Sequence, residues 1–331
     1  MKLLAIHYWP IMAALAVVLF FTHLSMGVIS IDLFSAFAGL FSGQDSIDTL
    51  ILQEIRLPRA ILAFTVGITL GISGAALQGL LRNPLAGPGL VGVTNCAALG
   101  AVITLYFGLA ASAWFVLPLG GMIGALLSVI LIFFLAGKQA GILNLILAGV
   151  AINAVASSFI ALTLNFADSP YAMNEIVYWL LGSVSNRSIN DVLISVPFML
   201  LGWILLLGHR NFLDALTLGE ETAQTMGFNI KKQRRWLIIG VALSVGAAVS
   251  VSGSIGFIGL VVPHLLRPLV HHEPGKLLAL SGIGGGILLL LADITVQLLS
   301  AGQELKLGVV TAMVGGPFFL MLIYKMRNEV Y

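Results

Sequence analysis

The chain has 331 residues, of which 59% are hydrophobic and only 9% charged, with a formal net charge of +2 and a mean hydropathy of +1.05. A soluble domain carries about 25% charged residues, so lipid rather than water is the main solvent here. The weak alternating segments of a membrane β-barrel are absent, which leaves helices that satisfy their own backbone polar groups. So small a net charge excludes a nucleic-acid binder, and the single Cys96 excludes a disulfide framework.

The fold class that follows is all-α, a polytopic membrane protein in one domain over 1–331. Ten predicted spans fit, at 11–29, 60–80, 89–107, 114–136, 142–166, 191–208, 235–251, 254–268, 277–297 and 308–325. The first reads as a retained helix, because one lysine precedes it and no small-residue cleavage site follows. The third and eighth begin in Gly/Pro-rich sequence, Asn83-Pro84-Leu85-Ala86-Gly87-Pro88-Gly89 and Gly253-Ser254-Ile255-Gly256. Short, interrupted segments at matching places in two halves predict an inverted repeat, spans 2–5 against 7–10, with a pathway between them. Spacings such as Gly67-x-x-x-Gly71 and Gly120-x-x-x-Gly124 allow close helix approach, and packing inside one subunit is preferred for them over a seam between subunits.

Charge sets the orientation. With both termini inside, Lys2, Arg82, Lys138, Arg210, Lys231, Lys232, Arg234, Arg235, Arg267, Lys276, Lys325 and Arg327 are cytoplasmic, against Arg56, Arg59, Arg187 and Lys306 outside. An odd number of spans would destroy this asymmetry.

No phosphate-binding loop is present, since Gly137-Lys138 and Gly275-Lys276 lack the preceding glycine and the following hydroxyl. No Cys/His cluster has zinc spacing, and His271-His272-Glu273 reads as a solvated turn. The sequence therefore predicts neither an enzyme nor a cofactor. Within the spans Asp293 is nearly alone as an ionisable residue, whereas an ion-driven carrier keeps carboxylates or histidines deep in its bundle. That scarcity favours an external motor over the rival, a secondary transporter.

Three segments stand out. In the loop after span 6, about 214–228, Thr217 is predicted as an N-cap with Glu220 completing a capping box. Glu220 and Glu221 then suit the helix dipole, and Gly227 ends the helix. Such a short amphipathic helix serves either structure or docking. Arg56-Leu57-Pro58-Arg59 places two guanidinium groups at the outer mouth, for lipid headgroups or for carboxylates of a soluble partner. The run from Gly253 through Pro263 and His264 marks a break in a kinked helix.

Taken with Gly74 through Gln78, Arg82-Asn83-Pro84-Leu85-Ala86, Leu147-Ala148-Gly149, Tyr178-Trp179-Leu180-Leu181-Gly182-Ser183, Ala292-Asp293, Glu304 and Gly316-Pro317-Phe318-Phe319, these segments resemble the permease family of iron-siderophore, haem and cobalamin ABC importers. The resemblance runs from about residue 50 onward. It implies ten helices per subunit, a second permease copy in a homodimer, two cytoplasmic ATPase subunits, a periplasmic substrate-binding protein and an inner-membrane location. It further implies that Leu218, Gly219, Glu220, Glu221, Ala223, Met226 and Gly227 form the ATPase-coupling helix. Arg56 and Arg59 would grip the binding protein, and Gly141, Ile142, Leu143 and Asn144 would form the cytoplasmic gate on a path lined by the fifth and tenth helices. Where the family often has arginine four residues after Asp293, this chain has Gln297, and Lys306 replaces the usual proline, adding an outer charge that can stand in for it. An iron chelate is the favoured cargo, with cobalamin as the alternative.

Overall fold

A computed structural model describes residues 8–27, 29–43, 46–137, 141–300 and 305–329. Lys2, Lys138 and Glu304 lie outside them, as does the side chain of Arg327. The fold is all-helical, with no strand among the described residues. In chain order the helices are α1 (Tyr8–Ser25), α2 (Leu33–Ser42), α3 (Ile47–Ile51), α4 (Leu57–Leu81), α5 (Val93–Tyr106), α6 (Val116–Ala136), α7 (Ile142–Asn165) and α8 (Pro170–Leu180). They continue with α9 (Ile189–Gly208), α10 (Arg210–Thr217), α11 (Glu220–Thr225), α12 (Ile230–Ser252), α13 (Ile258–Leu266), α14 (Pro274–Leu299) and α15 (Leu307–Glu329). A π-turn over Leu52–Arg56 joins α3 to α4 without a break.

Each of the ten predicted spans meets a helix, but among the described residues only eight helices are long and apolar enough to cross a membrane. The two short ones are Val93–Tyr106 and Ile258–Val270, the third and eighth segments of the sequence reading. Their predicted starts at 89 and 254 lie too early. Pro88–Val91 is a single 3₁₀ turn, and 253–257 is non-helical. Irregular backbone at such depth needs protein partners, and here it has them. Ser183 N–H donates to Ser252 O at 2.8 Å, and Gly308 N–H to Gly182 O at 3.2 Å. Phe257 turns the chain into α13 with φ +67°, a conformation strained for an aromatic residue.

The centre of the bundle is α4, α12 and α14, buried over 78%, 78% and 72% of their span windows, against 28% for α7, α9 and α15. Glycine makes the centre possible. A Cβ on Gly71 would stand 1.9 Å from Ser281 O, one on Gly67 2.3 Å from Gly285 O, and one on Gly74 2.0 Å from Gly259 O. Gly120 and Gly124 likewise abut Gly100 and Cys96. Both GxxxG spacings therefore serve packing within the chain. Helix pairings are also matched between the halves: α4 packs on α14 and α13 as α12 packs on α6 and α5, and α5–α6, α5–α7 and α6–α7 have counterparts in α13–α14, α13–α15 and α14–α15.

Candidate functional site

Between α9 and α12 the chain leaves the bundle as a small arm. The single capped helix expected over 214–228 is instead two helices, α10 and α11, broken at Gly219 with φ +112°. Thr217 is not an N-cap. It is the last residue of α10, and its hydroxyl donates back to Asp214 O at 2.7 Å. Glu220 closes no capping box either, because its carboxylate accepts from the buried Arg234 guanidinium of α12. Gly227 does end α11: at φ +93° it lets Phe228 N–H reach back to Ala223 O at 3.1 Å, the 6→1 bond of a Schellman cap.

The arm is held at two points. Glu220 ties it to α12 through Arg234. Asp214 Oδ1 accepts from Gly275 N–H at 2.7 Å, capping the first turn of α14. A Cβ on Gly275 would lie 2.4 Å from Asp214 Oδ2, so the carboxylate would have to shift to admit one. Beneath the arm Ala223 is fully buried and the Phe212 and Phe228 rings pack 5.7 Å apart. On its outer surface Leu218 is 65% and Met226 57% exposed, with Glu221 exposed beside them. Two large apolar side chains thus stand exposed on an otherwise polar, braced arm.

Gly141, Ile142, Leu143 and Asn144 form the start of α7, with Gly141 as an extended N-cap and Leu143 and Asn144 exposed. On the same end of the bundle Arg267 donates to Gln78 Oε1 at 2.5 Å, while Gln78 Nε2 lies 3.4 Å from the carbonyls of Gly259 and Leu260. This bridge joins α4 to α13.

The opposite end, about 27 Å away along α14 at 1.5 Å per residue from Gly275 to Asp293, corrects the picture of two free outer arginines. Arg56 is buried; its guanidinium donates to Leu24 O at 2.7 Å and also to Ile29 O. Leu24 O is one of the carbonyls that the end of α1 leaves open, and Ile29 O belongs to the loop that follows it. Arg59 donates through Nε to Asp293 Oδ2 at 2.8 Å and through Nη2 to Oδ1 at 2.9 Å. His23 Nε2 stands 2.6 Å from the same Oδ2, and Gln297 Nε2 lies 3.3 Å from it. Asp293 is therefore not the lone ionisable group within the helices: α1, α4 and α14 are knotted by His23, Arg59, Asp293 and Gln297. At position 297 the glutamine amide turns inward and joins this knot. Lys306 places its ammonium 5.5 Å from the Tyr178 ring centroid, a cation–π contact. Close by, an open cavity of about 530 Å³ is lined by Leu181, Ser254, Gly308 and Ala312.

His23, Asp214 and Gln78 carry roles that residue patterns did not assign. A histidine in the last turn of an apolar helix was the one signal available for His23; Asp214 and Gln78 find their partners only through tertiary packing.

Bundle, paired broken helices and braced arm define a multi-pass membrane transport protein. The chain belongs to the FecCD transport family, which matches residues 15–325. It is 39% identical over 280 residues to the hemin transport system permease protein HmuU of Yersinia pestis, covering 83% of this chain and 84% of that one. To the vitamin B12 import system permease protein BtuC of Vibrio cholerae it is 38% identical over 293 residues, with 87% of each covered. A solved inward-facing structure of a metal-chelate type ABC transporter superposes with a TM-score of 0.82 at 31% identity, over 95% of this chain and 97% of that one.

Proposed function

We propose that this chain is the membrane half of an ATP-driven importer that carries an iron chelate, a siderophore or haem, across the inner membrane. Two copies form a homodimer with both termini of each in the cytoplasm. Two separate ATPase subunits dock on the arms, and a periplasmic binding protein delivers cargo at the other end. The short helices α5 and α13 complete ten crossings with their irregular lead-ins, and the matched helix pairings of the two halves support an inverted repeat.

The observation that carries this reading is the arm. Leu218 and Met226 offer apolar contacts, flanked by Gly219, Glu221 and Gly227 at the turns. Glu220 and Asp214 convert a push on that surface into movement of α12 and α14. The gate residues Gly141, Ile142, Leu143 and Asn144 open the cytoplasmic end of the path in response. Asp293, the deep carboxylate that an ion-driven carrier would need, is held by Arg59 and His23, which argues against a relay. At the cargo end Arg56 and Arg59 face inward, so they shape the docking surface rather than touch the binding protein. Lys306 is the outer cation best placed to meet a carboxylate.

The alternative cargo is cobalamin, favoured by the similarity to BtuC. Proteoliposomes holding the permease with its ATPase and binding protein decide between them. ATP-dependent uptake of a ferric siderophore or haem, exceeding that of cobalamin, is expected. Uptake that continues without ATP and stops with an uncoupler would overturn the mechanism.

A further inference from the structure

The end of α6 and the start of α12 enclose an open cavity of about 340 Å³, walled by Phe133, Phe134 and Leu145 and rimmed by Lys231, Arg234 and Arg235. Neither the bundle packing nor the arm accounts for all three cations. Arg234 is balanced by Glu220. Lys231 and Arg235, four residues apart and so on one face of α12, make no ion pair with a carboxylate among the described residues. The Arg235 guanidinium carbon stands 5.9 Å from the Phe133 ring centroid, so the ring orients its planar fork and leaves its N–H donors available. The cavity thus carries two uncompensated positive charges above an apolar floor.

The surface leading to it is apolar. Ile123, Leu127, Ile130 and Phe134 follow one another up a single face of α6 and are 55%, 52%, 63% and 80% exposed. In a membrane protein such a face contacts hydrocarbon. A ligand that fits both features has an acyl chain and an anionic phosphoryl head. We propose that this cavity binds one anionic phospholipid of the adjacent leaflet, its phosphate between Lys231 and Arg235 and one acyl chain along the α6 face. Basic pockets between helices at this level suit such headgroups. A bound phosphate would sit one side chain from Arg234, the residue that holds Glu220, and would compete with Glu220 for it, linking lipid occupancy to the seating of the arm. That regulatory consequence rests on the coupling role proposed for the arm; the binding itself does not.

The test uses the full chain in detergent and in nanodiscs of phosphatidylcholine or phosphatidylglycerol, with native mass spectrometry of retained lipid. One phosphatidylglycerol should survive on the wild type. The double variant Lys231→Gln with Arg235→Gln should retain roughly thirtyfold less, from the loss of two basic contacts. Lys231→Arg with Arg235→Lys should keep it, which separates lost charge from lost fold. Retention unchanged in the neutralised variant overturns the proposal. So does displacement of the lipid by inorganic phosphate alone, which would mark a soluble-anion site. A variant that keeps its lipid but no longer assembles with the ATPase also overturns it, because the charges would then serve docking. If binding holds and phosphatidylglycerol still leaves ATPase coupling unchanged, the regulatory consequence fails and the lipid site stands.

Discussion

Arg59 holds both carboxylate oxygens of Asp293, at 2.8 and 2.9 Å, and so fastens the first turn of α4 to the far end of α14. Asp293 is almost fully enclosed and Arg59 largely so. Removing one partner of a buried pair strands the other charge and costs about 3–5 kcal/mol, whereas replacing both by apolar groups of similar volume is often near neutral. Arg59→Met and Asp293→Leu should each lower the unfolding temperature in detergent markedly. The double variant should be more stable than the sum of the single losses implies, which a double-mutant cycle measures. Additive losses would show that the pair does not act as a unit.

Glu220 and Glu221 are neighbours with different surroundings, and charge reversal should separate them. Glu220 faces the buried Arg234, so Glu220→Lys sets two cations together and should reduce thermal stability. Its half-exposed carboxylate keeps the loss below that of the Arg59–Asp293 pair. Glu221→Lys should leave stability within about 0.5 kcal/mol, as a surface change does, yet weaken assembly with the ATPase. Thermal unfolding and co-purification of the ATPase read the two effects independently. Equal destabilisation by both reversals would refute the distinct roles.

Asp214 ties the arm to the first turn of α14. Its carboxylate caps α14 through Gly275 N–H, and Asp214→Ala removes the acceptor at a cost of about 0.5–2 kcal/mol by analogy with a helix cap. The folded transporter should survive that loss while ATP hydrolysis continues and uptake falls, because the arm no longer pulls on α14. Asp214→Asn keeps an oxygen at the same place and should restore uptake. ATPase rate and uptake measured on the same proteoliposomes check both. Parallel loss of hydrolysis and uptake would place Asp214 in assembly instead.

The sequence was legible wherever a property repeats along the chain. Apolar run length located the helices, and glycine-rich breaks marked α5 and α13 as the shortened pair. The packing use of Gly67 and Gly71 followed from their spacing. Reading failed where a residue's role depends on a partner remote in sequence. Thr217 and Glu220 have the spacing of a capping box, but tertiary contact with Arg234 outweighs that local signal. Arg56 and Arg59 sit at a span boundary, where headgroup or partner contacts are expected. Their true acceptors, Leu24 O, Ile29 O and Asp293, come from α1, the following loop and α14, which only the assembled bundle brings together. Nor does any periodicity reveal α2 and α8, which lie outside the long apolar runs.

The close approach of α4 to α14 makes the sharpest prediction about glycine. A Cβ at Gly71 would stand 1.9 Å from Ser281 O, and one at Gly285 2.1 Å from Gly67 O. Both obstacles are backbone, so no rotamer change relieves the clash, and the two central helices would have to separate. Overpacking of a well-filled interior costs about 1–3 kcal/mol even where side chains can yield, and here they cannot. Gly71→Val should therefore abolish accumulation of folded protein in the membrane, and Gly71→Ala should lower its unfolding temperature. A control comes from Gly208, the last residue of α9, where a Cβ meets nothing within 4 Å. Gly208→Ala should be neutral or stabilise by up to about 1 kcal/mol, because alanine loses less backbone entropy in a helix. Gel filtration of fluorescently tagged variants in detergent compares the three directly, and wild-type behaviour of Gly71→Val would disprove the tight α4–α14 contact.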